Sequence, residues 1–197
     1  MPPATGDEQD QADMARLAAG QDAALNDLMA RHGERLFHYL LRILANETEA
    51  DDLAQESFVR AFQNRARFRP TAKFSSWLFA IATNLARDRL RWRARHPQVS
   101  IEAGDPETER GLKHTLVASN PTPAENLEAA ERAAAVRQAV AELPEELRLP
   151  LILAEYEEQS HAEIAAALDC SAKAVEMRLY RARQKLRDTL GKLMQTA

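Results

Sequence analysis

The residues from Ser171 to Arg187, SAKAVEMRLYRARQKLR, carry the densest side-chain chemistry in the chain. If they form a helix that buries Val175, Leu179 and Ala182, then Lys173, Glu176, Met177, Tyr180 and Arg181 point outward together. A helix of that width fits the major groove of B-DNA, with its N-terminal residues toward the base edges. Arg178, Arg183, Lys185 and Arg187 then lie where phosphates run, and Ser171 stands in front as the capping residue. Just upstream, SHAEIAAALD reads as a short helix opened by a Ser160–Glu163 capping box, with Ile164, Ala165 and Leu168 facing inward. A three-residue turn, Asp169-Cys170-Ser171, joins the two, so the spacing predicts a helix-turn-helix. The bland alternative is a helical hairpin with a basic surface. The charge step at residue 171 favours nucleic acid.

A second basic element has different chemistry. Residues 61–95 hold 9 Arg or Lys against 1 acid, mixed with Phe62, Phe68, Phe74, Trp77, Phe79 and Trp92. Arg87, Arg91 and Arg95 recur at helical spacing, as do Arg89 and Arg93. Basic residues beside aromatics suit a nucleic-acid strand whose bases are unstacked and held singly. Phe74, Trp77, Leu78, Ile81 and Leu85 also read as the core face of an amphipathic helix. The loop from Phe68 to Ser75 and the polar Asn84, Arg87 and Asp88 are therefore the better candidates for base contact.

Just ahead of this second element the charge reverses. TEADDLAQESFVRAFQ buries Ala50, Leu53, Ala54, Phe58, Ala61 and Phe62 on one stripe and exposes Asp51, Asp52, Gln55, Glu56, Val59 and Gln63. An acidic face repels phosphate and suits a basic protein surface instead.

The elements that must position these groups are all helical. The 197 residues are rich in Ala, Leu, Glu and Arg, and no long run alternates with period two, so the expected fold class is all-α. Asp22 is placed to cap a long helix with Leu25, Leu28, Leu36, Phe37, Leu40, Leu41 and Ile43 inward. Thr48 is placed to cap the next, and Ser75 or Ser76 to open a third that His96-Pro97 stops. Residues 97–121 lose all periodicity and read as a flexible acidic linker. A Thr122–Glu125 capping box restarts helix to about Glu142, and Leu143-Pro144 opens another through Glu157. The expected organisation is an acidic tail and short helix (1–20), a helical domain (21–96), the linker (97–121) and a four-helix domain with the helix-turn-helix (122–197).

Cys170 is the single cysteine, which excludes an internal disulfide and a Cys-rich zinc site. His32, His38, His96, His114 and His161 are scattered, and no P-loop or nucleophile motif occurs, so no metal, cofactor or enzymatic activity is expected. The acidic N-terminus lacks a signal-peptide layout and the longest apolar run, around LPLILA, is too short to span a bilayer. A cytoplasmic protein without membrane insertion is expected.

Three segments, EADDLAQESFVRAF, FRPTAKFSSWLFAIATNLARDRLR and LPEELRLPLILAEYEEQSHAEIAAALDCSAKAVEMRLYRARQKLR, together resemble the extracytoplasmic-function sigma factors of the bacterial sigma-70 family, in order and along nearly the whole chain. The resemblance implies a transcription initiation factor that binds core RNA polymerase, recognises −10 and −35 promoter elements and helps open the duplex. Asp51, Asp52, Gln55 and Glu56 would dock on the clamp helices of the β′ subunit. Phe68, Lys73, Phe74, Ser75, Asn84, Arg87, Asp88 and Arg91 would read and hold the melted −10 strand. Ser171, Lys173, Glu176, Met177, Arg178, Tyr180, Arg181, Arg183 and Lys185 would serve the −35 element, the second domain would touch the β flap, and the linker would thread the polymerase channel. Glu176 departs from the basic or neutral residue common there, so promoter preference does not carry over. No sensor domain is expected beyond Ala197, which implies control by a separate anti-sigma factor. A stand-alone helix-turn-helix regulator binding operator DNA is the alternative reading, and a helical interaction protein a third.

Overall fold

The computed structural model describes residues 6–69, 71–96 and 123–196. In chain order the helices are α1 (Gly6–Ala18), α2 (Ala24–Leu44), α3 (Glu47–Gln63), a 3-10 turn (Arg65–Arg67), α4 (Phe74–Arg95), α5 (Pro123–Ala141), α6 (Glu145–Glu155), α7 (His161–Ala167) and α8 (Ala172–Thr196). No strand occurs among the described residues.

The first four helices form one bundle. The apolar stripes expected for α2 and α3 face inward: Leu28, Leu36, Leu40 and Ile43 are buried on α2, and Ala50, Leu53, Ala54, Phe58 and Ala61 on α3. Each fully buried Leu or Phe removes enough apolar surface from water to contribute about 1.5–3 kcal/mol. Hydroxyls inside the bundle are partnered. Tyr39 and Thr83 share a 2.5 Å hydrogen bond, and Thr83 and Ser57 donate to the carbonyls of Phe79 and Leu53. Burial pushes the Tyr39 phenol far above its ordinary value, so it stays neutral.

Several helix starts differ from the sequence expectation. Asn46, not Thr48, caps α3, its side chain accepting from the Glu49 N–H at 2.9 Å. Asp22 makes no side-chain cap, since Ala23 holds that position of α2. Helix α4 opens at Phe74 from Lys73, one residue before Ser75. A capping residue works only where the chain actually turns, and more than one Asn, Asp, Ser or Thr lies within reach of each start. The linker and Thr122 of the expected Thr122–Glu125 box lie outside the described residues.

Helix α1 is docked rather than trailing. Asp10 and Asp13 are buried and paired with α2: Arg31 Nε donates to Asp10 at 2.9 Å and Nη2 to Asp13 at 2.5 Å, while His32 Nε2 lies 2.7 Å from Asp10. Burial alone would lower the pKa of the Arg31 guanidinium, but the two carboxylates outweigh it and hold the group above its ordinary value.

Helices α5 to α8 form the second unit, with Leu147, Leu149, Leu151, Ile152 and Leu153 of α6 buried. The two units pack on each other: α7 lies along α4, α2 meets α6, and their buried residues form one continuous cluster.

Candidate nucleic-acid interface

The helix-turn-helix is built as its residues require. Ser160 Oγ accepts from the Glu163 N–H at 3.3 Å, and Glu163 Oε2 accepts from the Ser160 N–H at 2.8 Å, closing the reciprocal box that opens α7. Asp169 takes φ 50°, the left-handed conformation that ends α7 and that Asp tolerates better than most side chains. Ser171 caps α8 by accepting from the Ala174 N–H at 3.1 Å. Ile164, Ala165 and Leu168 are buried, and so are Val175, Leu179 and Ala182 across from them.

That packing leaves Lys173, Glu176, Met177, Tyr180 and Arg181 exposed together, Tyr180 at 66 %. Lys173 Nζ lies 2.8 Å from Glu176 Oε2, and this hydrogen bond and charge hold the carboxyl below its ordinary value. The flanking cations divide. Lys185 is exposed, Arg183 is exposed but held by Glu155 at 2.7 Å, and Arg178 is half-buried. Arg178 turns its guanidinium back toward Cys170 Sγ, 3.5 Å away. Expected on a phosphate track, Arg178 in the free chain thus lies behind the turn.

The second basic element also divides. Phe74, expected both on the core face and against DNA, is 1 % exposed in the free chain, with its ring against His32, Phe68 and Trp77. Phe68 and Ser75 are half-buried at the same corner. Asn84, Asp88 and Arg91 share one solvent-facing stripe of α4. Lys73, just ahead of α4, and Arg87 on it face the second unit, where Glu163 approaches Lys73 at 3.8 Å and Glu145 approaches Arg87 at 3.4 Å. Arg89 and Arg93 are tied to Glu49 of α3.

The acidic face of α3 stands clear of these pairs. Asp51, Asp52 and Gln55 are exposed, Gln55 donating to Asp51 at 2.9 Å, and the Glu56 carboxylate pairs with Arg60 at 2.8 Å on the same face. An open cleft beside them runs to α4, where Trp92 is 41 % exposed.

Sequence reasoning missed the pairs that cross the molecule. Arg35 Nε donates to Glu157 Oε2 at 2.6 Å across 122 residues, and nothing in the local pattern of either residue signals it.

Two family patterns match the chain. Sigma-70 region 2 matches residues 28–96, and Sigma-70 region 4 matches residues 133–186. The RNA polymerase sigma-H factor of Pseudomonas aeruginosa is 33 % identical over 96 % of this chain and 98 % of its own length. The chain belongs to the sigma-70 family, in its extracytoplasmic-function group. The group's sigma factor SigW of Bacillus subtilis is 32 % identical over 90 % of this chain and 95 % of its own. Among solved structures, CnrH in complex with the cytosolic domain of CnrY has a TM-score of 0.67 at 30 % identity, covering 94 % of this chain and 99 % of that one. The sigma factor RpoE of Bartonella quintana, solved with the anti-sigma factor NepR, has a TM-score of 0.62 at 21 % identity over 84 % of this chain and 96 % of its own, and shares the fold.

As a sigma factor the protein is a promoter-specific transcription initiation factor that binds core RNA polymerase and directs it to −10 and −35 elements. The stand-alone regulator is not favoured, because it leaves region 2 without a role. Sigma factors as a class are non-enzymatic, and no described helix is long and apolar enough to cross a membrane.

Proposed function

We propose that the three surfaces of this sigma factor divide the work of initiation residue by residue. Asp51, Asp52, Gln55 and Glu56 dock on the β′ clamp helices, acid against base. Asn84, Asp88 and Arg91, with Lys73, Ser75 and Arg87 at the corner beside Phe68, hold the melted −10 strand. Lys173, Glu176, Met177, Tyr180 and Arg181 read the −35 bases, while Ser171 at the helix start and Lys185 and Arg183 along α8 face its phosphates. Region 2 extends over residues 21–96 and region 4 over 122–197, and region 4 also touches the β flap.

The observation that carries this reading is the segregation of charge. The acidic face of α3 and the open face of α8 lie on different units, and neither is covered by the apolar packing of the described residues. Each is therefore available to a partner of opposite sign. The protein acts in the cytoplasm and performs no covalent chemistry itself. It is held in check by an anti-sigma factor, the class of partner with which the RpoE fold relative was crystallised.

Run-off transcription from genomic promoters with purified core polymerase tests the reading. Initiation from a discrete set of promoters only when the chain is added supports it. No initiation from any genomic promoter removes it.

A further inference from the structure

One residue of the open face of α8 has the wrong charge for a DNA surface. Glu176 follows the first turn of the helix, is exposed, and shares its face with Lys173, Met177, Tyr180 and Arg181. Lys173 Nζ, one turn back, donates to Glu176 Oε2 at 2.8 Å. That hydrogen bond and the lysine's charge, with a smaller pull from His161 at the start of α7, hold the carboxyl below its ordinary value. Glu176 is therefore ionised at neutral pH.

An ionised carboxylate accepts hydrogen bonds and donates none. In the major groove only cytosine N4 and adenine N6 offer a donor, so guanine and thymine are excluded where Glu176 meets the bases. The neighbours of each donor decide between the two that remain. Adenine N6 is flanked by two acceptors, its own N7 and O4 of the paired thymine, and both repel a carboxylate. Cytosine N4 has one acceptor beside it, O6 of the paired guanine, and an ammonium group suits that place. Across a C·G pair N4 and O6 lie about 2.9 Å apart, an ordinary N–H···O separation. Lys173 and Glu176 hold a donor and an acceptor 2.8 Å apart. The two side chains match the edge of that base pair, carboxylate toward N4 and ammonium toward guanine O6 and N7. The ammonium also offsets the repulsion that a lone carboxylate would meet from the phosphates beside the groove.

We propose that the Lys173–Glu176 pair reads one C·G base pair of the −35 element, Glu176 accepting from cytosine N4 while Lys173 donates to the guanine. The inference rests on the assignment of the −35 element to α8 and adds to it the identity of one base pair. It makes Glu176 a selecting residue and Lys173 both its counter-ion and the reader of the opposite strand.

The full chain, bound to core polymerase, is presented with duplexes of a promoter it transcribes, randomised across the −35 element, and the bound fraction is sequenced. One position should prefer C·G roughly tenfold over the other three pairs. Glu176→Gln keeps the size of the side chain and adds a donor, and a glutamine amide pairs with adenine N6 and N7. The variant should therefore move the preference at that position alone from cytosine to adenine on the same strand. Glu176 is exposed, so the exchange leaves the core untouched. Two modified bases test the pair in the unaltered protein. N4-methylcytosine, which blocks the outward N4 proton, should remove the preference. 7-Deazaguanine, which lacks N7, should weaken the wild type and leave Lys173→Ala unchanged. If the wild type selects bases in the element but Glu176→Gln alters none of them, the inference is overturned while the assignment of α8 stands. Selection of adenine by the wild type, indifference to N4-methylcytosine, or equal loss on 7-deazaguanine in both proteins overturns it in the same way. If no position of the element is selected, α8 is not the reading helix and the inference falls with that assignment.

Discussion

Arg93 joins three helices of region 2: its Nη2 lies 2.5 Å from Oε2 of Glu49, and its Nη1 donates to the Leu44 carbonyl at 2.9 Å. Glu49 sits in the first turn of α3 and Leu44 in the last turn of α2, where carbonyls lack helical partners. The arginine therefore ties the C-terminal half of α4 to the α2–α3 junction. The basic island is part scaffold and part binding surface, and only the pairing partners tell which arginine is which.

The docking face gives the first prediction. Asp52→Arg should weaken binding to core polymerase at least several-fold, because it reverses charge at a face matched to a basic surface. Asp52 is exposed, so its unfolding free energy should move by no more than about 0.5 kcal/mol. Core affinity by competition and stability by urea titration check both halves. Unchanged affinity would move the docking face elsewhere.

On α8 the exposed residues should separate into readers and holders. Arg181→Ala should cost about 1–3 kcal/mol at one promoter position and relax preference there, whereas Lys185→Ala should weaken all sequences alike and lower the salt slope by about one. Binding measured across single-base promoter variants at two salt concentrations distinguishes them. A uniform loss for Arg181→Ala would recast it as a phosphate contact.

Helix α1 should be integral to region 2. Asp10→Ala leaves His32 Nε2 without its partner and Arg31 with Asp13 alone at a largely buried site, and an unsatisfied group there costs about 1–3 kcal/mol. Urea unfolding reads the loss. A change near zero would mean that α1 contributes no more than a tail.

These cases also show where sequence pattern reaches and where it stops. The stripe of α3, the Ser160–Glu163 box and the inward faces of α7 and α8 were legible because their partners lie within a few residues or a helical period. The outward residues of α8 followed by subtraction. Helical spacing put Arg89 and Arg93 on a different row from Arg91, but their shared partner, Glu49, is remote in sequence and local spacing carries no record of it. Phe74 read both as core face and as base contact for a related reason: the ring that packs against it, His32, comes from another helix. Arg178 fell on the expected outward arc and was drawn back by a contact with Cys170 in the turn.

The last prediction concerns the acidity of Glu157 in its pair with Arg35. Burial pushes the Glu157 carboxyl above its ordinary value of 4.5, Arg35 and Arg42 on α2 pull it back only in part, and neighbouring Glu158 adds to the rise. The folded chain therefore keeps this proton at pH values where the unfolded chain has lost it. The resulting stabilisation is complete below 4.5 and is lost as pH rises through the raised value. Glu163 works the other way: burial alone would raise it, but hydrogen bonds from Ser160 and Ser76 and the charge of Lys73 hold it low. Its contribution is present above 4.5 and lost as pH falls. Glu157→Gln removes only the first effect. In urea titrations from about pH 4 to 7, the stability of the wild type relative to this variant should therefore decline as pH rises. A constant difference would mean that Glu157 titrates as it does in water. The direction bears on packing, because an ion pair that does not fully offset its own burial adds little to the contact between the two units at neutral pH.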